Sequence, residues 1–397
     1  MKEGWKYMKL GEVCDFQNGF AFKSNLFADK GIGVVRISDI QNGEVSKEKM
    51  TYVNPKSIKE DLSSFIVRPN DILIAMSGGT TGKLGINKTN ETFFQNQRVG
   101  LFREHKEVLN HTFLYYFLCT KSEESLKIAA GAAQPNLSTI QIKQFQIPVP
   151  PLPDQQRIVS YLDAEFAKIE ALKANAEKQL QAAKDLFQAA LKELMTPKEG
   201  WVEKKLGDCF VSINNGANIK QIKGAKGLPI TRIETISNDT FNRDRLGYAD
   251  ITSKETFKKY ELNDGDILMS HINSMKFLGR SVVYKKIDGE YIIHGMNLLR
   301  LVTKTDYYSV FMAYLFMSQS FREQLLTISH QSVNQASFNT TALKGLEISI
   351  PSFPEQQCIA ARLDALSANV KALQTNYTET ITLCNDLKQA LLKKVFE

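Results

Sequence analysis

PPLPDQQRIVSYLDAEF, residues 150–166, passes from a proline-rich segment straight into a helix-forming one. PSFPEQQCIAARLDALS, residues 351–367, makes the same passage again, with Pro354 standing 201 residues after Pro153. Each copy is preceded by further echoes. EGWKYMKLGE (3–12) returns as EGWVEKKLGD (199–208) and VVRISDI (34–40) as ITRIETI (230–236), both at an offset of 196. NDILIAMSGG (70–79) returns as GDILMSHIN (265–273) at an offset of 195. A period this constant makes the chain of 397 residues two copies of one unit. In each, a globular block of about 150 residues precedes a helical segment of about 43. The boundaries read as blocks 1–153 and 197–354 with helical segments 154–196 and 355–397.

From Asp154 to Met195 neither Pro nor Gly interrupts a run rich in Ala, Leu, Lys, Glu and Gln, and Pro153 with Asp154 is a helix-start signal. On a heptad register the a positions are Val159, Phe166, Lys173, Leu180, Phe187 and Leu194, and the d positions Leu162, Ile169, Ala176, Ala183 and Ala190. The second segment places Leu363, Val370, Tyr377, Cys384 and Leu391 at a, and Ile359, Leu366, Leu373, Thr380, Leu387 and Lys394 at d. An apolar seam with a 3.5-residue period is thereby sustained in both copies. Rods of roughly 63 Å, at 1.5 Å per residue, exceed what covers an ordinary domain core. The expectation is that they pair with each other, with Ala176, Ala183 and Ala190 allowing close approach. Tandem symmetry makes that pairing antiparallel and the architecture pseudo-two-fold.

Block one holds short apolar runs, GVVRISDI, DILIAMS, KLGINK, QRVGLFR and QFQIPVP, bounded by Gly, Asn and Pro turns, and a helical period over 111–130. Block two repeats them with LPITRIETI, DILMSHI, GRSVVY, NLLRLV and a helical stretch from Tyr308. Each block is therefore expected to be α+β with a curved, mostly antiparallel sheet. Residues 1–153 carry 19 basic and 15 acidic residues and 197–354 carry 20 and 16, whereas the helical segments together carry 11 and 12. The net charge of +7 thus resides in the blocks, a mild bias toward an anionic partner.

Reaction centres are hard to place. SGGTTGKL (77–84) resembles a phosphate-binding loop, but Ser77 stands at its first glycine and Leu84 at its magnesium-binding hydroxyl. No D-P-P-Y or N-P-P-Y, H-E-x-x-H or G-x-S-x-G stretch occurs. The five cysteines (Cys14, Cys119, Cys209, Cys358, Cys384) are far apart and without neighbouring His, so no zinc site or disulfide framework is supported. The charged start MKEGWKYMKL and the lack of any long apolar run lead to the expectation of a soluble, cytoplasmic protein.

Several loops combine side chains suited to DNA. Block one offers Phe20, Lys23 and Ser24; Arg36; Ser77, Thr80, Thr81 and Lys83; Asn96, Gln97 and Arg98; and Gln134 with Asn136. Block two offers Asn214, Asn215, Lys220 and Lys223; Arg232; His271, Asn273, Lys276 and Arg280; His294 and Asn297; and Gln335 with Ser337. Arg and Lys suit guanine edges and phosphates, and Asn and Gln suit adenine. Each loop alone is an ordinary polar turn; their recurrence at matching places of the repeat is what points to a shared surface.

The junctions IPVPPLPDQQRIVSYLD and ISIPSFPEQQCIAARLDAL, the openings GWKYMKLGE and GWVEKKLGD, and NGFAFKSNLF with GVVRISDIQNGEV together resemble the specificity subunits of type I restriction-modification systems over essentially the whole chain. The resemblance implies two target recognition domains, each reading one half of a bipartite asymmetric DNA target, and helices that set the gap between the halves. It implies two adenine methyltransferase subunits and restriction endonuclease/translocase subunits as partners. S-adenosylmethionine, ATP and Mg would be used by those partners, with no cofactor, metal or catalysis in this chain. Cys358 stands where the first copy has Arg157, so the two docking surfaces need not be equivalent. A stand-alone two-headed DNA-binding regulator and a protein scaffold are the rival readings.

Overall fold

The computed structural model describes residues 4–130, 136–222, 227–237, 239–251, 253–332 and 335–396. The chain forms two compact units, Met1–Glu177 with Glu379–Glu397, and Lys178–Thr378. Two helices of 44 residues, Leu152–Met195 and Phe353–Phe396, each contribute to both units. Among the described residues no helix is long and apolar enough to cross a membrane.

Both helices start two residues earlier than the sequence suggests, so Pro153 and Pro354 are the second helical residues rather than the last of a strand. That position tolerates proline because first-turn amides have no intrahelical acceptor to lose. The first glutamine of the motif is the fastener. Gln155 Nε2 donates to the carbonyls of Pro150 at 2.8 Å and Val108 at 2.9 Å, and its Oε1 accepts from the Asn110 amide at 2.7 Å. Gln356 repeats this with Pro351 at 3.0 Å, Asp306 at 3.2 Å and the Tyr308 amide at 2.8 Å. Both side chains are buried. Asn110 and Tyr308 precede the helices His111–Thr120 and Ser309–Met317, so each glutamine ties a long helix to a short one. Farther along, Tyr116 donates to Asp163, and Tyr314 to Asp364 at 2.7 Å.

In the first unit a six-stranded sheet runs Cys14–Asn18, Val99–Glu104, Ile72–Ala75, Leu84–Ile86, Gly43–Val45, Ile40–Gln41, with only the Leu84–Ile86/Gly43–Val45 pair parallel. A five-stranded sheet includes Ile32–Val35 parallel to Phe93–Gln95. The second unit has the antiparallel order Phe210–Asn215, Leu298–Thr303, Ile267–Ser270, Ser281–Val283. The central strands are apolar on both sides because both faces are covered: Ile72, Ile74 and Phe102 pack on Phe113, Phe117 and Phe396, while Leu73, Ala75 and Leu101 pack on Val35, Ile40 and Phe93. The helical stretches are shorter than expected. His111–Thr120 is followed by a separate Ser122–Ala130, and Ser309–Met317 by Gln319–Thr327, where Ser318 caps the new helix by accepting from the Phe321 amide at 3.3 Å.

Strand Lys6–Lys9 pairs with Gln146–Val149, and Val202–Lys205 with Glu347–Ile350, closing each block at its two ends. The glycine of the repeated LG pair is required there. A Cβ on Gly11 or on Gly207 would lie 2.9 Å from the Cβ of Lys143 or Lys344.

Within the first unit the long helices run antiparallel: Lys173 donates to Asn385 at 3.2 Å, and Glu170 pairs with Lys388, farther on along one helix as it is farther back along the other. In the second unit Leu191, Leu194 and Met195 share a core with Ile359, Ala360 and Leu363. Every expected a and d residue of the first helix, Leu162, Phe166, Ile169, Ala176, Leu180, Ala183, Phe187 and Ala190 among them, is buried or half-buried. The second helix departs from its expected seam. Leu363, Val370, Tyr377 and Leu391 face inward and Leu366 is half-buried, but Leu373 is 38% and Leu387 49% exposed, and Gln374, Ile381 and Lys388 turn inward in their place. The period stays at 3.5, but the second column lies on the other side of the a positions. Rotation of this helix is fixed by its ends, where Ala360 and Leu363 pack into one block and Leu392 and Phe396 into the other unit's core. Lys388 is accommodated with its ammonium 5.4 Å over the Phe166 ring and paired with Glu170.

Two substitutions separate these roles. Gln155→Leu strands three buried backbone groups, at roughly 1–3 kcal/mol each, and should lower the unfolding free energy of its unit by about 3 kcal/mol or more in denaturant melts. Ile381→Ser should cost about 1–2 kcal/mol and Leu387→Ser under about 0.5 kcal/mol; equal effects would mean the seam lies where the apolar pattern placed it.

Candidate nucleic-acid interface

In the first unit strands Cys14–Asn18 and Ile72–Ala75 end, and Val99–Glu104 begins, at one edge of the sheet: Gly100 is paired with Asn18 and Val99 with Ala75. The loops bearing Phe20, Lys23 and Ser24, Ser77 to Lys83, and Asn96 to Arg98 leave from this edge. The second unit repeats the arrangement, with Leu299 paired with Asn215 and Leu298 with Ser270. Convergence of the loops is therefore a product of strand register.

A turn at the centre of each edge is built identically. In the first unit Gln95 Nε2 donates to Val99 O at 2.7 Å, and in the second His294 Nε2 donates to Leu298 O at 2.8 Å. Because a carbonyl only accepts, His294 carries its proton on Nε2. The preceding loop clamps the turn from outside: the Phe20 amide donates to Gln95 O and the Ala217 amide to His294 O, both at 2.8 Å. This approach needs the glycine of the repeated Asn-Gly pair, since a Cβ on Gly19 would sit 2.2 Å from Gln95 O and one on Gly216 2.3 Å from His294 O. The turn is supported further by Asn96 N to the strand carbonyl Val35 O at 3.1 Å in the first unit and by Gly295 N to Thr231 Oγ1, just past strand Leu228–Ile230, at 2.9 Å in the second.

Around the first turn, Gln97, Arg98, Lys83, Lys23, Ser24 and Asn136 are exposed. Ser77 is buried and bridges to Asn136, and Arg98 Nη1 reaches Ser77 Oγ at 3.4 Å. Asn96 is half-buried and bridged to Phe20. Three candidates, Phe20, Arg36 and Thr81, serve the scaffold here. Phe20 lies 5.0 Å from the Phe22 ring and 5.7 Å from Phe65 in an aromatic cluster. Arg36 holds its own turn, with Nη2 on Lys49 O at 2.7 Å and its amide on Asp39. Thr81 is buried with its hydroxyl on Gly78 O at 2.6 Å, and the Thr80 hydroxyl is buried without a hydrogen-bond partner among the described residues.

Around the second turn, Asn214, Asn215, Lys220, Arg232, Lys276, Asn297 and Gln335 are exposed. Asn273 joins a small sheet through Ala336, alongside the half-buried Ser337, and donates to Ser270 Oγ at 3.2 Å. Arg280 pairs with Asp239 at 3.4 Å and stacks 4.6 Å over Phe277. His271 and His294 are buried, at 7% and 1% exposure, which makes them supports of the edge rather than groups displayed on it. Burial pushes the His294 imidazole down to about 4 and lowers His271 as well. Gln134 and Lys223 lie outside the described residues.

Sequence reasoning passed over other residues at these edges. Asn18 accepts from the Thr139 hydroxyl at 3.1 Å and brings Ile140, 73% exposed, beside the first edge. Met296, 43% exposed, is the neighbour of Asn297 on the second turn. Lys259, Tyr260 and Arg300 line a hollow of about 470 Å³ with Asn214, Asn215 and His294. The repeat itself marks Met296, which occupies in HGMN the place of Gln97 in QNQR, but an apolar side chain carries no polar signal.

Comparison with known proteins gives one consistent result. A family model described as the type I restriction modification DNA specificity domain matches residues 2–182 and again 198–383. The EcoKI specificity subunit of Escherichia coli (strain K12) is 25% identical over 420 residues, spanning 100% of this chain and 89% of that protein. Among solved structures, a chain from a study of complex assembly and conformational transition of the type I R-M system superposes with TM-score 0.76 at 20% identity, covering 100% of this chain and 98% of that one. The HsdS subunit from Thermoanaerobacter tengcongensis superposes with TM-score 0.55 at 19% identity, covering 100% and 97%.

The two turns should respond differently to acid. A histidine whose folded pKa lies below its unfolded value near 6.5 stabilises the fold fully above pH 6.5 and loses that contribution as pH falls toward about 4. Unfolding free energy of the second unit should fall by up to about 1.4 kcal/mol per pH unit in this window. His294→Gln, which installs the hydrogen bond Gln95 makes in the first unit, should flatten that slope in pH-dependent denaturant melts.

Proposed function

The chain belongs to the type I restriction-modification DNA specificity domain family, and on that premise we propose that it is the sequence-reading subunit of a type I restriction-modification complex, with each of its two units reading one half of a bipartite, asymmetric DNA target. The observation that carries this reading is the pair of equivalent sheet edges, built on the same backbone scaffold and bearing different side chains: Gln97 and Arg98 on one, Met296 and Asn297 on the other. Identical readers would favour a symmetric target; unlike readers on one scaffold favour unlike halves. Exposed Lys and Arg around both edges supply phosphate contacts that position without specifying.

Residues 1–153 and 197–354 are assigned as the target recognition domains, and 154–196 and 355–397 as spacers whose length sets the gap. The chain works with methyltransferase and restriction subunits; two methyltransferase subunits are assigned to the repeated helical segments. Adenine methylation from S-adenosylmethionine and ATP- and Mg-dependent cleavage are assigned to those partners, and no chemical step to this chain.

Co-expression with its cognate methyltransferase subunit, followed by sequencing of methylated sites, tests the reading. The expected result is a motif with two unlike halves separated by a fixed gap. Replacing residues 1–153 with the block of a relative should alter one half alone; an alteration of both halves, or methylation without a defined motif, would overturn the assignment.

A further inference from the structure

Each central turn holds its first residue and its last by hydrogen bonds and leaves its tip exposed, so the tip is presented in a fixed direction. We propose that the tips are base readers of different class: Arg98 reads a G·C pair in one half of the target, and Met296 with Asn297 reads an A·T pair in the other. This deepens the DNA-reading function above and rests on it.

The chemistry of the tips supports the division. Among the described residues the Arg98 guanidinium makes one long hydrogen bond, 3.4 Å to Ser77 Oγ, which orients it while leaving other donors for the O6 and N7 acceptors of guanine. Asn297 is exposed and bears an amide able to bond adenine N6 and N7 together. Its neighbour Met296 is 43% exposed although its backbone is anchored, with its amide on Ala217 O at 3.1 Å and the preceding Gly295 packed so that a Cβ would meet Thr231 O at 2.3 Å. The backbone of the turn is therefore held in place, with this side chain at its exposed tip. An apolar group displayed on a rigid turn beside an adenine-matching amide suits the thymine methyl of the same A·T pair.

The test uses the assembled complex with its methyltransferase subunits and a panel of duplexes in which each base pair of the mapped motif is changed in turn. Met296→Ala with Asn297→Ala should reduce discrimination at one A·T pair of one half by about 10- to 100-fold, and Arg98→Ala should do so at one G·C pair of the other half. Grafting Met296→Gln with Asn297→Arg should shift the preferred pair in that half toward G·C. Filter binding on the same duplexes reads the same ratios where a variant methylates too slowly, and thermal melts confirm that it is folded. A motif unchanged by all three variants, or relaxed at pairs of the opposite class, overturns the inference while leaving the reading function in place. Absence of any sequence-specific methylation by the unmodified complex would instead sink the function on which the inference rests.

Discussion

A buried glutamine amide fastens each long helix to the block that precedes it, and the rest of the structure depends on that clasp. Gln155 and Gln356 each satisfy two carbonyls and one amide that would otherwise be sealed from water at a helix start. No apolar residue could replace them without leaving those groups unpaired, and a charged one would be buried without a counter-ion. Because the clasp sets where each helix leaves its block, it also sets the direction in which the helices run. The repeated junction is therefore the most alike part of two copies that have otherwise drifted apart.

The same economy of identity governs the two sheet edges. What the copies share there is what the backbone demands: the glycines at 19 and 216, where a Cβ has no room, and a side chain at 95 or 294 that can bond a carbonyl four residues on. Gln95 and His294 perform one task with different chemistry, and only the histidine brings acid sensitivity with it. What the copies do not share is what the scaffold holds outward, Gln97 and Arg98 against Met296 and Asn297.

The helical seam shows how far a periodic pattern reaches. In the first helix the apolar columns and the buried columns coincide from Val159 to Leu194. In the second, Leu373 and Leu387 lie outside and Gln374 and Lys388 inside, because the ends of the helix are seated in globular cores that fix its rotation. A polar residue such as Lys388 enters the seam where a partner, Glu170, and a ring, Phe166, receive it.

The sequence by itself determined that the chain is doubled, that each copy holds a mixed α+β block and a long helix, and which loops carry polar side chains, since period, patterning and turn residues are local properties. It also placed those loops at matching points of the repeat. Only the tertiary structure decided which of the polar side chains are displayed. His271, His294, Arg36 and Phe20 are loop residues like the others, but the two histidines are buried, Arg36 bonds Lys49 O and Phe20 packs on Phe22 and Phe65, whereas the apolar Met296 is 43% exposed. Display depends on strand register and on backbone contacts between residues far apart in sequence, and neither quantity is written in residue type.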